Sequence, residues 1–378
     1  MQLRVLTNAD QLREYAETWD DLWSRSTVAL PTAQASPLLL WLDHFASRSD
    51  FRAVVVEQDG RFVAALPLVS QRLAGMLPVG RVTHSDWSTG GELLLDPNVD
   101  AAEAVRMMLA GLKEFSWPLL YLSGCRVDLP GWGQLFEQCD GAGHTMAGHR
   151  RFESGLVRVP HDFEEFKKSW SRNHRRQMRK AQQKIEEQGE CQLQLHNEMP
   201  KDQVEPLLRS GFEIEHRGWK GDAGSSVLAI PGMFDFYLQQ AENLAESGHL
   251  QLAFLTLEDR PIAFEYGWRS KGHHFTPKVA YDEQFARYKP GQLLRYRFLE
   301  RLSEECPGDV VDFLGPLSEA TSKWATSSYM VDTILVAMRP VLGGATLAGY
   351  RLLRRLRRLP QVSSTSVQQD TSLVPLAT

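Results

Sequence analysis

Two stretches about 200 positions apart constrain the fold of this chain more than any other feature. The first is Ala53-Val54-Val55-Val56, the turn Gln58-Asp59-Gly60, and Phe62-Val63-Ala64-Ala65-Leu66. The second is Leu252-Ala253-Phe254-Leu255-Thr256, the turn Glu258-Asp259-Arg260, and Ile262-Ala263-Phe264-Glu265-Tyr266. Apolar runs joined by a short polar turn read as β-hairpins. What surrounds them also repeats. Helical spacing over 10–24 and from Ser36-Pro37 to Phe45 precedes the first hairpin, and over 233–245 the second. An extended stretch follows each (91–95 and 274–281), then a helix (101–114 and from Pro290), then a short apolar strand ending in glycine (119–124 and 310–315). Repeated element order at one offset indicates duplication. It predicts an α+β chain of two domains, 1–155 and 156–340, each a mixed, mostly antiparallel sheet flanked by helices, with a tail over 341–378. A last strand is predicted over 329–338.

With 43% hydrophobic residues the chain can fill two cores. A net charge of -5 argues against a surface that coats nucleic acid, so any anion site must come from a local basic run. Cys125, Cys139, Cys191 and Cys306 lack CxxC spacing, so neither a metal site nor a disulfide framework is expected. The start MQLRVLTNAD has no signal-peptide core, and no apolar run reaches the roughly 18 residues of a membrane span. The expected location is the cytoplasm, with at most peripheral contact at the inner membrane face.

The two halves differ where a ligand would bind. Before the repeated helix the first half has Asp96-Pro97-Asn98-Val99-Asp100, and the second has Arg287-Tyr288-Lys289-Pro290-Gly291-Gln292. Proline suits a first helical position, glycine permits close approach, and unpaired N–H groups beside two cations attract a phosphate. Carboxylates at the same place repel one. Only the second half therefore keeps a candidate phosphate site.

Between the halves, residues 167–184 carry no acidic side chain. On a helix, Trp170, His174, Met178, Ala181 and Ile185 share one face, while Arg172, Arg175, Arg176 and Arg179 share the other. The basic face is either simply solvated or a contact for a phosphorylated, nucleic-acid or lipid partner. Residues 345–359, ATLAGYRLLRRLRRL, read as an Arg-rich amphipathic helix that either lies on an anionic membrane or packs back on the protein. Beyond it a polar tail is expected to be disordered.

The ordered set SRNHRRQMRKAQQKIEEQG, EIEHRGWKG, LAFLTLEDRPIAFEYGW, AYDEQFARYKPGQLLRYRFLERL, VVDFLGP and SKWATSS resembles the GNAT-type acyltransferase domain of the CelD and Fem-like group, over about residues 156–340. Members often carry a degenerate first copy, and PLVSQRLAGMLPVGRVTHSDWSTGGELLLDP is similar to its central segment. The resemblance implies transfer of an acyl group from acetyl-CoA or another acyl-CoA to an amine or hydroxyl, of a polysaccharide, glycolipid or cell-envelope precursor. It puts Arg287 to Gln292 at the cofactor pyrophosphate, where this chain lacks the second small residue of the usual pattern. Fem-type relatives use aminoacyl-tRNA instead, and a non-catalytic adaptor is a third reading.

Such a transfer needs a base, oxyanion donors and an acid for the leaving thiolate. Asp312, on the glycine-bounded strand, is a candidate to orient or deprotonate the acceptor, its counterpart in the first half being Tyr121. Glu265, opposite in direction to Phe264 and Tyr266, is a candidate base. His216, read as lying in a loop, is a third. Tyr281 and Lys323 are candidate acid or oxyanion partners. Each also has a structural reading: a loop hydrogen bond for Asp312, a solvent-facing position for Glu265, a helix cap for His216.

Overall fold

The computed structural model describes residues 1–73, 77–339 and 342–349. In chain order, β1 (Gln2–Leu6), α1 (Ala9–Glu14), α2 (Ala16–Arg25) and α3 (Ala35–Phe45) precede the hairpin β2 (Phe51–Gln58) and β3 (Arg61–Leu73). Then come β4 (Leu77–Val82), β5 (Leu94–Leu95), α4 (Ala101–Glu114), β6 (Leu119–Cys125), α5 (Pro130–Gly141) and β7 (Met146–Arg158). Helices α6 (Phe163–Ser169) and α7 (Arg172–Glu186) lead to β8 (Cys191–His196), α8 (Lys201–Arg217), α9 (Trp219–Asp222) and α10 (Met233–Glu246). The second hairpin, β9 (Leu250–Leu257) and β10 (Arg260–Ser270), is followed by β11 (His273–Tyr281), α11 (Pro290–Glu305), β12 (Val310–Pro316), α12 (Glu319–Ser322) and β13 (Ser327–Ala337).

Both hairpins turn through two residues with positive φ, Asp59 and Gly60 in the first, Glu258 and Asp259 in the second. This matches the twist of the flanking strands. The parallel pairs repeat as well: β4 runs parallel to β6 with Arg81 opposite Tyr121, and β11 parallel to β12 with Phe275 opposite Asp312. Tyr121 and Asp312 are thus equivalent positions of one repeated motif.

All strands on the path lie in one sheet, ordered β1-β2-β3-β4-β6-β13-β7-β12-β11-β10-β9-β8, with β5 beside β3. The centre of that order is an exchange. Strand β7, which follows the first half, pairs with β12 of the second, and β13, which ends the second half, pairs with β6 of the first. The two exchanged strands pair with each other over ten positions, from Ser327 opposite Leu156 to Val336 opposite Met146. No short-range pattern in either strand specifies such an exchange, because it depends on partners more than 100 positions away. Strand β7 runs through residue 155, so the sheet is continuous there.

One core holds α1 to α3 of the first half and α8 and α10 of the second, with Phe45 edge-on to Phe236 at 4.8 Å. The opposite sheet faces carry separate cores, one under α4 and α5, the other under α6, α7 and α11. The expected amphipathic face of α7 is buried through Trp170, His174, Met178, Ala181 and Ile185. Of the Arg-rich helix expected over 345–359, residues 345–349 are helical, with Leu347 buried against Leu119 and Leu335, and the rest lies outside the described residues.

Candidate active site

The site begins with a bulge in β11. Tyr266 pairs with Lys278 and Trp268 with Phe275, so Thr276 and Pro277 face the single residue Gly267. Such an extra residue bends a strand and re-aims the side chains after it. Glycine is required opposite, since a Cβ at Gly267 would lie 2.2 Å from the Phe275 carbonyl oxygen. Pairing between β11 and β12 ends at Phe275 and Asp312, and the strands part beyond it.

On the α11 side of this opening lies the basic loop. Residues 283–288 form a 3₁₀ turn, and Lys289 follows in the left-handed region at φ 56° as the residue before Pro290. Among the described residues no side chain caps α11. The equivalent helix α4 differs: Asp100 accepts from the Glu103 N–H, and Asp96 is paired with Arg25 and with Asn98. One repeated helix start is capped by its own carboxylate, whereas at the other the Gln292 and Leu293 N–H groups donate to the Lys289 carbonyl and the Gly291 N–H is left to face an anion. Tyr281, 39% exposed, flanks Gly291, where a Cβ would meet its ring at an ordinary 3.5 Å. Arg287 stacks 4.6 Å over the Tyr288 ring, and Gln292 Oε1 accepts from Trp324 Nε1 at 2.8 Å.

Helix α7 docks against this loop. Lys289 Nζ donates to Gln177 Oε1 at 2.9 Å, while Arg172, Arg175, Arg176 and Arg179 stay exposed. His174 is wedged against Trp170 and Trp324, and its Nε2 has no partner among the described residues. Burial, with Lys323 and Lys289 nearby, pushes its pKa down to about 4, so the ring is neutral.

Across the sheet, a cavity of about 140 Å³ sits at the seam between the halves. Asp312, Phe275 and Leu314 line it from the second half, His84, Thr89, Glu92, Ser123 and Arg126 from the first, and Tyr329 and Phe152 from the exchanged strands. Asp312 is 1% exposed. Its Oδ1 accepts from Tyr329 Oη at 2.9 Å and from the Leu314 N–H at 2.9 Å. Its Oδ2 has no hydrogen-bond partner among the described residues and lies 3.6 Å from Arg126 Nη1. Burial raises the Asp312 pKa against the opposing hydrogen bonds and Arg126, which suits a group that takes a proton. Arg126 stacks 3.7 Å over the Tyr329 ring. Glu92, raised to about 7 by burial, accepts from Trp132 Nε1 at 2.7 Å.

The other sequence candidates lie elsewhere. Glu265 does point away from Phe264 and Tyr266, but into the core beneath α11 and not into solvent, 3.0 Å from Arg295 Nη2 with both side chains buried. His216 sits in the last turn of α8, not in a loop, exposed, with Nδ1 2.8 Å from Ser226 Oγ. Lys323 pairs with Glu319 at 2.9 Å on the surface. Arg126, Tyr329, Glu92 and Lys278 were not singled out from sequence. They come from separate strands and loops, and only the exchange of β7 and β13 brings the first three to Asp312.

Residues 172–321 match the acetyltransferase (GNAT) domain family. No curated protein sequence matches the chain. Among solved structures the fold is similar to FemX, with 10% identity and a TM-score of 0.57 over 88% of this chain and 97% of that one. It is also similar to the C-terminal domain of an Agrobacterium fabrum protein assigned as a lysylphosphatidylglycerol synthetase, with 12% identity and a TM-score of 0.54 over 90% and 97%. At such identities the likeness is one of fold. The family match and the repeated element order lead to one conclusion: the chain carries an acetyltransferase (GNAT) domain over residues 172–321, joined to a first half that repeats its order of strands and helices, and is an acyltransferase.

Proposed function

We propose that the protein moves an acyl group from an acyl-CoA to an amine or hydroxyl of a glycan, glycolipid or other cell-envelope precursor. One observation carries this reading: the opening between β11 and β12 has a helix start without a side-chain cap, beside Lys289, on one side and, on the other, a cavity where Asp312 Oδ2 has no hydrogen-bond partner among the described residues. The donor pyrophosphate fits against the Gly291 N–H at the start of α11, where the absence of a side chain allows approach and Arg287 and Lys289 neutralise charge. The thioester reaches through the parted strands. Asp312 accepts a hydrogen bond from the acceptor and takes its proton as the new bond to the acyl carbon forms and the C–S bond breaks; CoA leaves as the thiolate, and the proton passes from Asp312 through solvent to the sulfur, which restores the carboxylate and gives the CoA thiol. The mixed polar and apolar lining of the seam cavity suits a hydroxylated carbon skeleton, and the first half contributes part of that wall.

Isothermal titration with acetyl-CoA tests the donor assignment. Wild type binds, and Gly291→Asp, whose Cβ has room in the protein, folds normally and loses binding. Absence of binding by acetyl-CoA and longer acyl-CoAs alike overturns the reading.

The exposed arginines of α7 beside Lys289 support a second reading, a donor that is an aminoacyl-tRNA. It requires salt-dependent tRNA binding. Joint replacement of Arg172, Arg175, Arg176 and Arg179 by Ala abolishes that binding if the helix is the reader; unchanged binding removes this reading.

A further inference from the structure

Lys278 is the first residue after the β11 bulge, and it faces the side of the sheet shared by the two halves. Its ammonium lies 4.9 Å from the centre of the Trp87 ring, on the loop before β5, and 5.0 Å from that of Tyr237 on α10. The two aromatic groups are tied together, Tyr237 Oη donating to the Trp87 carbonyl at 2.6 Å. The loop that supplies Trp87 continues into Thr89 and Glu92 of the seam cavity. Among the described residues no acceptor atom is hydrogen-bonded to Lys278 Nζ and no carboxylate is in ion-pair contact with it. The nearby carboxylate is already occupied: Glu215 Oε1 accepts from Lys220 Nζ at 2.6 Å and Oε2 from the Val227 N–H at 3.0 Å.

Lys278 is half-buried, and its ammonium, held beside two aromatic rings, has no protein acceptor among the described residues, so its N–H groups are left for water or a ligand. Aromatic faces stabilise its charge without using its N–H groups. The bulge sets this cation just past the point where β11 leaves β12, where the donor's acyl end would pass. We propose that Lys278 is a catalytic residue that donates a hydrogen bond to the thioester carbonyl oxygen and to the oxyanion formed from it. This rests on the acyl-CoA reading above. As the acceptor attacks the carbonyl carbon, the C=O electron pair moves to oxygen and is held by the Lys278 N–H. It returns as the C–S bond breaks, and the acceptor proton goes to Asp312, not to Lys278.

The surroundings support the protonated form at neutral pH. Burial lowers the Lys278 pKa to about 8, with Glu215 opposing the fall and Lys220 adding to it. Glu215, although buried, is held below the usual carboxylate range by Lys278, Lys220 and the Val227 N–H. Tyr237 and Tyr266, the latter opposite Lys278 on β10, are pushed well above 10 by burial and stay neutral.

The test uses the full chain and acetyl-CoA carrying ¹³C at the acyl carbonyl, with no acceptor added. In wild type at pH 7 the infrared stretch of the bound carbonyl moves to lower frequency, and the shift disappears as pH rises through about 8. Lys278→Met binds acetyl-CoA within about threefold of wild type but leaves the stretch at its free position, and kcat for slow transfer to water falls on the order of 10²-fold or more. Lys278→Arg restores part of the shift, which a merely structural role would not do. An unshifted carbonyl in wild type, or an equal shift in Lys278→Met, overturns the proposal. So does a hydrolysis rate that increases through pH 8, which would make Lys278 a proton acceptor. Failure of wild type to bind acetyl-CoA overturns the donor reading and this inference together, whereas tight binding with an unshifted carbonyl overturns this inference alone.

Discussion

Tyr329 Oη donates to Asp312 Oδ1 at 2.9 Å across an intervening strand: Asp312 is on β12, Tyr329 on β13, and β7 lies between them. The bond links the strand that bears the candidate base to the strand that has crossed into the first half. It fixes one carboxylate oxygen and leaves the other facing the cavity. The placement of the Asp312 carboxylate therefore depends on the exchange as well as on the local fold of the second half.

Replacing Asp312 by Asn separates stability from function. Burial raises the Asp312 pKa in the folded protein. Its contribution to stability is therefore complete below the unfolded value and is lost as pH rises through the folded one, so the ionised group is a burden at neutral pH. Asn can still accept from Tyr329 and Leu314. The expected outcome is a Tm at pH 7 equal to or above wild type, with turnover reduced on the order of 10²–10⁴-fold. Retained turnover in a folded Asp312→Asn protein removes Asp312 from the mechanism.

The buried pair Glu265 and Arg295 is expected to hold the fold and not to transfer protons. Arg295→Met strands a carboxylate in the core and costs about 3–5 kcal/mol in chemical denaturation. Adding Glu265→Leu recovers most of that loss, and the double variant still binds acetyl-CoA. A double variant that is stable yet fails to turn over would restore Glu265 as a participant.

Gly267→Ala tests the bulge. The added methyl collides with the Phe275 carbonyl, so the strand must shift, at about 1–3 kcal/mol. Calorimetry should show weaker acetyl-CoA binding even at temperatures where circular dichroism reports a fully folded chain. Unaltered affinity would mean that the opening does not depend on the bulge.

His174 gives the protein an acid-side weakness. Its folded pKa, about 4, lies below the ordinary 6.5. Its neutral form contributes stability that is present above pH 6.5 and lost as pH falls toward 4. His174→Phe keeps the contacts with Trp170 and Trp324 without a proton site. Thermal unfolding between pH 7 and 4.5 should decline less steeply for this variant than for wild type. Parallel curves would assign the acid sensitivity to other groups.

The placements that local chemistry controls were legible in the residues. Asp59-Gly60 and Glu258-Asp259 specify two-residue turns, Pro290 starts α11, and the face of Trp170, Met178 and Ile185 had only one way to be buried. The contrast between Asp96 to Asp100 and Arg287 to Gly291 was also visible, because charge at a helix start acts over a single turn. Tertiary structure decided the rest. Whether Glu265 met solvent or Arg295 depended on a helix 30 positions on. That Arg126 and Tyr329 would meet Asp312 depended on an exchange of strands between halves. Alternation of side chains tells which residues share a face of a strand, but the neighbouring strand is chosen by the packing of the whole sheet. The basic start of α11 thus belonged to the sequence, and the cavity opposite it to the fold.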